Sequence, residues 1–388
     1  MSHPVVDLDL CARSDFHNGI QRVARETAQR WAQRHQVTPV AWTDTGGSLR
    51  DLTRQEELRT TRWSSRHTEI DTGVGPGPAA AAGDEFGLVI PWHTTVVLAE
   101  VPLADRCASL SGLAELSGNA VVAIGYDAIP VVSADLRPLG EANAFAAYLT
   151  VIKHSARVAG ISTSATVEFE GFSQALASQG LPGPEVREVL LPSDVPPPPP
   201  GFRRTPSARP RVLSVGRTEP HKNHGALLHA AELLWREGLE FDLDLIGAKG
   251  WSTSRVDEQL ERLTRAGRPV RWLGPVPDDE LWAAIRNASF TVFASLHEGF
   301  GLPVSESLAC GTPVVTTGYG SQGEIAAGGG CLVVDPRDDA DLTAAMRRLL
   351  TEPGLEDRLR REALERPDRT WDDYAAELWS VLVEGKQP

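Results

Sequence analysis

Residues 298–306 read EGFGLPVSE: two glutamates flank a glycine-containing loop that leads straight into an apolar helical run. Gly299 and Gly301 let backbone N–H groups come close to a ligand, and Pro303 suits a first helical turn, where its missing N–H costs nothing. The pattern predicts a helix over 303–310 that stops at Gly311, followed by TPVVTT (312–317) as a buried strand. A helix N-terminus behind a glycine loop is an anion site, and phosphate is the usual anion. Glu306 is expected in the first helical turn, where it can accept hydrogen bonds from ligand hydroxyls, and Glu298 before the loop, on the far side of the phosphate. A plain loop-to-helix corner with solvated glutamates is the competing reading of this segment taken alone.

Upstream, VLSVGRTEPHKNHGALLHAAELL (212–234) reads as an apolar strand, a turn at Gly216, two cations at Arg217 and Lys222, and an amphipathic helix. That order places both cations at the C-terminal edge of a parallel sheet, where doubly wound folds bind ligands; solvated loop charge is the alternative. FDLDLIGAKGWSTSRVDEQL (241–260) continues as strand, glycine turn and helix. RPVRWLGPVPDDELWAAIRNASFTVFAS (268–295) adds a short strand, a capped helix beginning near Asp278, and another buried strand.

Together these segments resemble glycosyltransferase family 4. SLHEGFGLPVSESLACGTPVVTT (295–317) is similar to that family's donor-site signature, and VLSVGRTEPHKN to its vGR or vGTxEPRKN pattern, with His221 where arginine is frequent. The resemblance implies the GT-B fold: α/β, two Rossmann-like doubly wound domains facing a central cleft. It implies a retaining, metal-independent enzyme that moves a hexose or deoxyhexose from a nucleotide-diphosphate sugar, with no cofactor. Arg217 and Lys222 would then neutralise the donor diphosphate, helped by the backbone of Gly216, Gly299, Phe300, Gly301 and Leu302. Glu306 would bind the nucleotide ribose, and Glu298 would hold sugar hydroxyls near the anomeric carbon. IGAKGW (246–251) and LGPVPDDEL (273–281) look like nucleotide-side loops, in which Lys249 and Trp251 would line the base pocket; packing is the other reading of Trp251. In GYGSQGEIAAGGGCLVVDPRD (318–338), Ser321 and Glu324 match the family while Gly323 replaces its proline, and Glu324 either braces a helix start or touches ligand.

The N-terminal half is read as the acceptor side. DFHNGIQRVARETAQRWAQR (15–34) resembles the family's tGIqRv corner, placing Gly19 in the cleft and Arg22 either there or on a helix surface. AVVAIGYDAIP (120–130) resembles its viHDliP corner: Asp127 keeps the acid, counted here with the catalytic residues, and Tyr126 stands where histidine is usual. If that histidine orients the reacting groups, Tyr126 must substitute through its hydroxyl, or His93 or His17 must replace it. Residues 43–86 read as loops that could admit a lipid-linked glycan or a small soluble acceptor. The combined motifs look most like bacterial mannosyl- and rhamnosyl-type transferases of surface polysaccharide synthesis. Tailoring of a natural product such as an antibiotic is the alternative, and a phosphorylase, a sugar-nucleotide hydrolase-epimerase and a non-catalytic sugar-nucleotide-binding partner are rival classes.

Composition fits. The chain has 388 residues, 41% hydrophobic, enough for two α/β cores. A formal charge of −14 argues against nucleic acid as a partner. Acids in DLDLC (7–11) and in FDLDL (241–245) are expected on strands, without a loop to hold a metal. Cys11, Cys107, Cys310 and Cys331 are scattered and read as core thiols of a reducing compartment. With no signal-peptide pattern and no transmembrane segment, the expectation is a cytoplasmic protein that can contact the inner membrane face peripherally. The proline run 196–200 marks 193–207 as a semi-rigid linker between domains at 1–192 and 208–370, and its arginines (203, 204, 209, 211) read as solvated charge. Trp371, Tyr374, Leu378 and Leu382 have helical spacing, and the resemblance carries that last helix (371–388) back onto the N-terminal domain.

Overall fold

A computed structural model describes residues 3–14, 18–61, 86–205, 207 and 209–386. His17 and residues 62–85, among them the Gly/Ala/Pro-rich stretch, lie outside the described residues. The chain forms two compact α/β units: Met1–Ala134 with Leu139–Leu191 and Thr370–Pro388, and Asp135–Pro138 with Pro192–Arg369.

The first unit is built on strands β1 (Val5–Asp7), β2 (Thr38–Trp42), β3 (Leu49–Asp51), β4 (Leu88–Val89), β5 (Thr95–Leu98), β6 (Ala120–Gly125), β7 (Arg157–Gly160) and β8 (Glu185–Glu188). They lie in the order β4-β3-β2-β1-β5-β6-β7-β8. β1, β2 and β5 to β8 pair in parallel, whereas β3 pairs antiparallel with β2 and β4. This corrects the loop reading of 43–86, because 49–51 is a strand and 54–61 a helix. The central parallel strands are short and mostly apolar, with Val5, Val96, Val97, Val122 and Ala123 fully buried, as a sheet covered on both faces requires, whereas the edge strand β8 reads EVRE and is only partly covered. VVDLDL is not one strand. Asp7 ends β1, and Asp9 opens the helix Asp9–Arg13.

The helix Trp371–Leu382 packs within this unit against the helix Gly19–Arg34. Trp31 Nε1 donates to the Ala375 carbonyl at 2.8 Å, and the Trp31 and Trp379 rings meet edge-on at 5.2 Å. Arg30 and Arg34 both bond the Asp372 carboxylate. Thr370 and Asp373 form a reciprocal capping box that fixes the helix start.

The second unit holds β9 (Arg211–Val215), β10 (Asp242–Ile246), β11 (Val270–Gly274), β12 (Phe290–Phe293), β13 (Val314–Thr317) and β14 (Cys331–Val334), all parallel, in the order β11-β10-β9-β12-β13-β14. Relative to the unit's own chain order this is the 3-2-1-4-5-6 doubly wound arrangement, whose strand order reverses between β9 and β12. The core is formed by Leu228, Leu234, Phe241, Leu243, Phe290, Val315 and Met346.

The proline run 196–200 is exposed, but the segments flanking it touch this unit, which corrects the reading of Arg204 as solvated charge. Val195 packs on Leu213 and Trp282, Arg286 donates to the Pro196 carbonyl, and Arg204 pairs with Glu356 at 2.6 Å. Arg209 and Arg211 likewise pair with Asp242 and Asp244. The four cysteines are unpaired, with Cys11 and Cys107 buried and Cys310 and Cys331 half-buried. Among the described residues no helix is long and apolar enough to cross a membrane.

Candidate active site

Two loops meet where the second sheet reverses its order. After β9, Gly216 takes φ +147° and Gly247, after β10, takes φ +146°; a Cβ on Gly247 would stand 2.1 Å from the Gly216 carbonyl oxygen. Glycine at this pair therefore lets the two strand ends close, and Gly216 N–H donates to the Ile246 carbonyl at 2.9 Å. Arg217 follows on the open side, its side chain 42% exposed. A short 3-10 turn, Pro220–Lys222, then turns Lys222 toward the loop after β12.

There Lys222 Nζ donates to both carboxylate oxygens of Glu298, at 2.6 and 2.8 Å. Burial alone would raise the Glu298 carboxyl, but Lys222 and the hydrogen bonds from Lys222 and Ser295 outweigh it and hold it below the ordinary value. The residue stays ionised. The family resemblance assigns these two residues to different ligand parts, diphosphate and sugar. In the protein they form one ion pair across the switch point.

Glu219, which the sequence reading passed over, is the second node. Its carboxylate lies 3.3 Å from Arg217 Nε, 3.4 Å from Arg137 Nη1 and 3.6 Å from His221 Nδ1. An acid between two cations in a post-strand loop was the available signal. His221 and His224 are both buried, and burial, with the charge of Lys222 next, pushes each imidazole down to about 4. His221 therefore brings no charge at neutral pH, unlike the arginine usual at its position. His224 Nδ1 has no hydrogen-bond partner among the described residues.

The helix after the glycine loop runs Leu302–Ala309, with Gly301 at its N-cap in a left-handed conformation (φ +102°) and Pro303 in its first turn. Phe300 and Gly301 are buried and pin the loop, while Gly299 and Leu302 on either side are half-buried. Glu306 is the fifth helical residue, one position deeper than expected because the helix starts at Leu302, and is largely buried. Ser321 is also buried, and its hydroxyl donates to the Glu298 carbonyl at 2.8 Å. It braces the loop instead of facing a ligand. Gly323 stands where the family's proline would because a Cβ there would meet the Gly318 carbonyl oxygen at 2.3 Å.

Lys249 pairs with Asp257 at 3.1 Å and sits 4.7 Å above the Trp272 ring. Trp251 Nε1 is unpartnered among the described residues. The helix at Asp278 begins where expected, but behind Pro277 and without a side-chain cap. Asp242 and Asp244 do share a strand, and Asp244 is held by Arg271 at 2.8 Å.

Gly19, Tyr126 and Asp127 belong to the first unit. Gly19 is the first residue of its helix, behind an Asn18 side chain that accepts from Gln21 N–H. Tyr126 is buried, and its hydroxyl donates to the Ala99 carbonyl at 2.6 Å, so it is engaged by backbone and does not present a hydroxyl in place of an imidazole. His93 does not replace it either: it precedes β5, whereas Tyr126 follows β6, and these strands are parallel, so the two occupy opposite edges of the sheet. Asp127 accepts from Ile129 N–H at 3.0 Å at the start of a short helix. Arg22 is buried and lies 5.4 Å from the Trp371 ring centroid.

Two such units define the GT-B class of fold, and the solved structures agree. The chain is similar to sucrose-phosphate synthase from Thermosynechococcus elongatus, with TM-score 0.62, 15% identity, and coverage of 99% of this chain and 97% of that one. It is similar to HepE from Anabaena, solved with UDP and glucose, with TM-score 0.63, 14% identity, and coverage of 98% and 100%. Residues 202–366 match the family model of glycosyl transferases group 1, so the second unit carries a glycosyltransferase domain of that group. Over 128 residues the chain is 41% identical to O-antigen chain mannosyltransferase B of Escherichia coli, a span that is 33% of each protein. The chain thus aligns with about a third of that relative's length.

Proposed function

We propose that the protein is a family 4 glycosyltransferase that moves a hexose, mannose in the first instance, from a nucleotide-diphosphate sugar to an acceptor hydroxyl in polysaccharide synthesis. The observation that carries this reading is the Lys222–Glu298 pair at the switch point, between the Gly216–Arg217 loop and the Gly301 N-cap. The glycosyltransferase domain and the mannosyltransferase relative support the choice of reaction and sugar.

The chemistry follows from charge. As the sugar–phosphate bond breaks with oxocarbenium character, negative charge collects on the departing diphosphate. Arg217, Lys222 and the N–H groups at the start of the helix Leu302–Ala309 stabilise it without reorganising. Glu298, ionised beside Lys222, holds sugar hydroxyls and fixes the lysine; Glu306 holds the ribose. The leaving phosphate takes the acceptor proton, and the acceptor enters on the face it leaves, so configuration is retained. Protein cations carry the diphosphate, and no divalent ion is needed.

A thermal-shift screen of nucleoside diphosphates tests donor binding, since a ligand at 100 times its Kd raises stability by about 2.7 kcal/mol. NMR of product formed with chelator present tests the rest. An α-linked donor should give an α-linked product at an unchanged rate. Inversion would refute retention, and a loss of rate restored by magnesium or manganese would refute metal independence.

A further inference from the structure

The second unit holds a cavity of about 480 Å³ past the C-terminal ends of β12, β13 and β14, with Leu296, two residues before Glu298, in its wall. None of the roles assigned above uses it. Its walls are Leu296, Tyr319 and Val333, and its polar rim is Asp335, Arg337 and Asp341. Tyr319 is 56% exposed and Val333 54%, unusual for large apolar groups in a concave surface. Neither the Tyr319 hydroxyl nor the Arg337 guanidinium has a hydrogen-bond or ion-pair partner among the described residues.

The frame around these free groups is rigid. Tyr319 N–H donates to Thr317 Oγ1 at 3.1 Å, and the His297 ring meets the Tyr319 ring edge-on at 6.0 Å. Asp335 N–H donates to the Asp341 carboxylate at 2.8 Å, and Arg337 N–H to Asp335 Oδ1 at 2.9 Å. Asn223, at the end of the Lys222 loop, donates to the Pro336 carbonyl at 2.8 Å. Two residues past Tyr319, Ser321 bonds the Glu298 carbonyl. Cavity and ion pair are thus parts of one hydrogen-bonded framework.

We propose that this cavity is a saccharide subsite that seats one sugar residue of the acceptor chain next to Glu298. The proposal rests on the glycosyltransferase reading and adds to it a place for the acceptor on the donor unit. One exposed ring face suits the C–H face of a pyranose. Carboxylate acceptors and a guanidinium donor on the rim suit hydroxyls, which both donate and accept. A nucleobase would instead want a slot closed on both of its faces, and this site has one ring.

The test is saturation-transfer NMR with methyl α-mannoside as probe and uridine and guanosine as competitors, on the full-length chain. Wild type and the exposed-site variants Tyr319→Ala and Arg337→Ala are compared, with binding of UDP and GDP read on the same samples. The expected result is saccharide binding weakened about threefold to tenfold in both variants, the range of one aromatic or polar contact, with nucleotide binding unchanged. Equal saccharide binding in all three proteins overturns the subsite, as does nucleotide binding without saccharide binding in wild type. Displacement of the saccharide by nucleosides in wild type overturns its assignment to a sugar. Saccharide binding that depends on Tyr319 in a protein that binds no nucleotide upholds the subsite and overturns the donor reading instead.

Discussion

Lys222 and Glu298 are 76 residues apart and share two hydrogen bonds, so they should act as a unit. Replacing either by alanine is expected to slow transfer by about 2–4 kcal/mol of barrier. The double variant should lose less than the two single losses combined, with a coupling of about 1–3 kcal/mol in the cycle. Additive losses in steady-state rates would mean independent roles. Arg217 differs, because it is more exposed and is held by Glu219 at 3.3 Å. Glu306→Ala should mainly weaken binding of the bare nucleoside diphosphate, measured by calorimetry, while Glu298→Ala should mainly lower turnover. Unchanged nucleotide affinity in Glu306→Ala would remove that residue from the ribose site.

At the scale of elements, glycine positions separate steric need from mere tolerance. Gly247 cannot carry a Cβ without meeting the Gly216 carbonyl oxygen at 2.1 Å, and its φ of +146° disfavours one in any case. Gly171, inside the helix Thr163–Ala177, has nothing within 4 Å of its would-be Cβ. Gly247→Ala should therefore lower stability by more than ~1 kcal/mol and open the β9–β10 edge, whereas Gly171→Ala should raise it by about 0.4–1 kcal/mol. Paired urea unfolding curves check both signs. The strands, the glycine turns and the helix at the EGFGLP loop were all legible in sequence, because each rests on spacing within a few residues. That helix starts one residue earlier than its spacing suggests, at Leu302, because Gly301 in its left-handed conformation caps it, which composition alone does not reveal.

The whole molecule carries opposed pH responses in its two units. In the first, burial and then the charge of Asp9 raise Asp7 to about 7, and burial raises Glu100 to about 7. Folded acids with raised values contribute stability that is present below their unfolded values near 4 and lost as pH rises through 7. In the second, His221 and His224 are lowered from 6.5 to about 4, so their contribution is present above 6.5 and lost as pH falls toward 4. Between pH 7 and 5, calorimetry should show the second unit's transition moving down relative to the first unit's. Parallel movement of the two would contradict this. NMR of the His221 and His224 ring protons, carried on below that window, should show both titrating near pH 4.

The sequence by itself determined the α/β class, the apolar strands, and the two motifs at 216–222 and 298–306, since periodicity and turn chemistry are local properties. It did not determine which side chains would meet. That Lys222 would hold Glu298, that Glu219 would gather Arg217, Arg137 and His221, and that the Tyr126 hydroxyl would bond the Ala99 carbonyl were decided by tertiary structure. The physical reason is strand order. Placing β12 beside β9 brings the tips of two strands together that the chain keeps about 76 residues apart, and no local spacing encodes that neighbourhood.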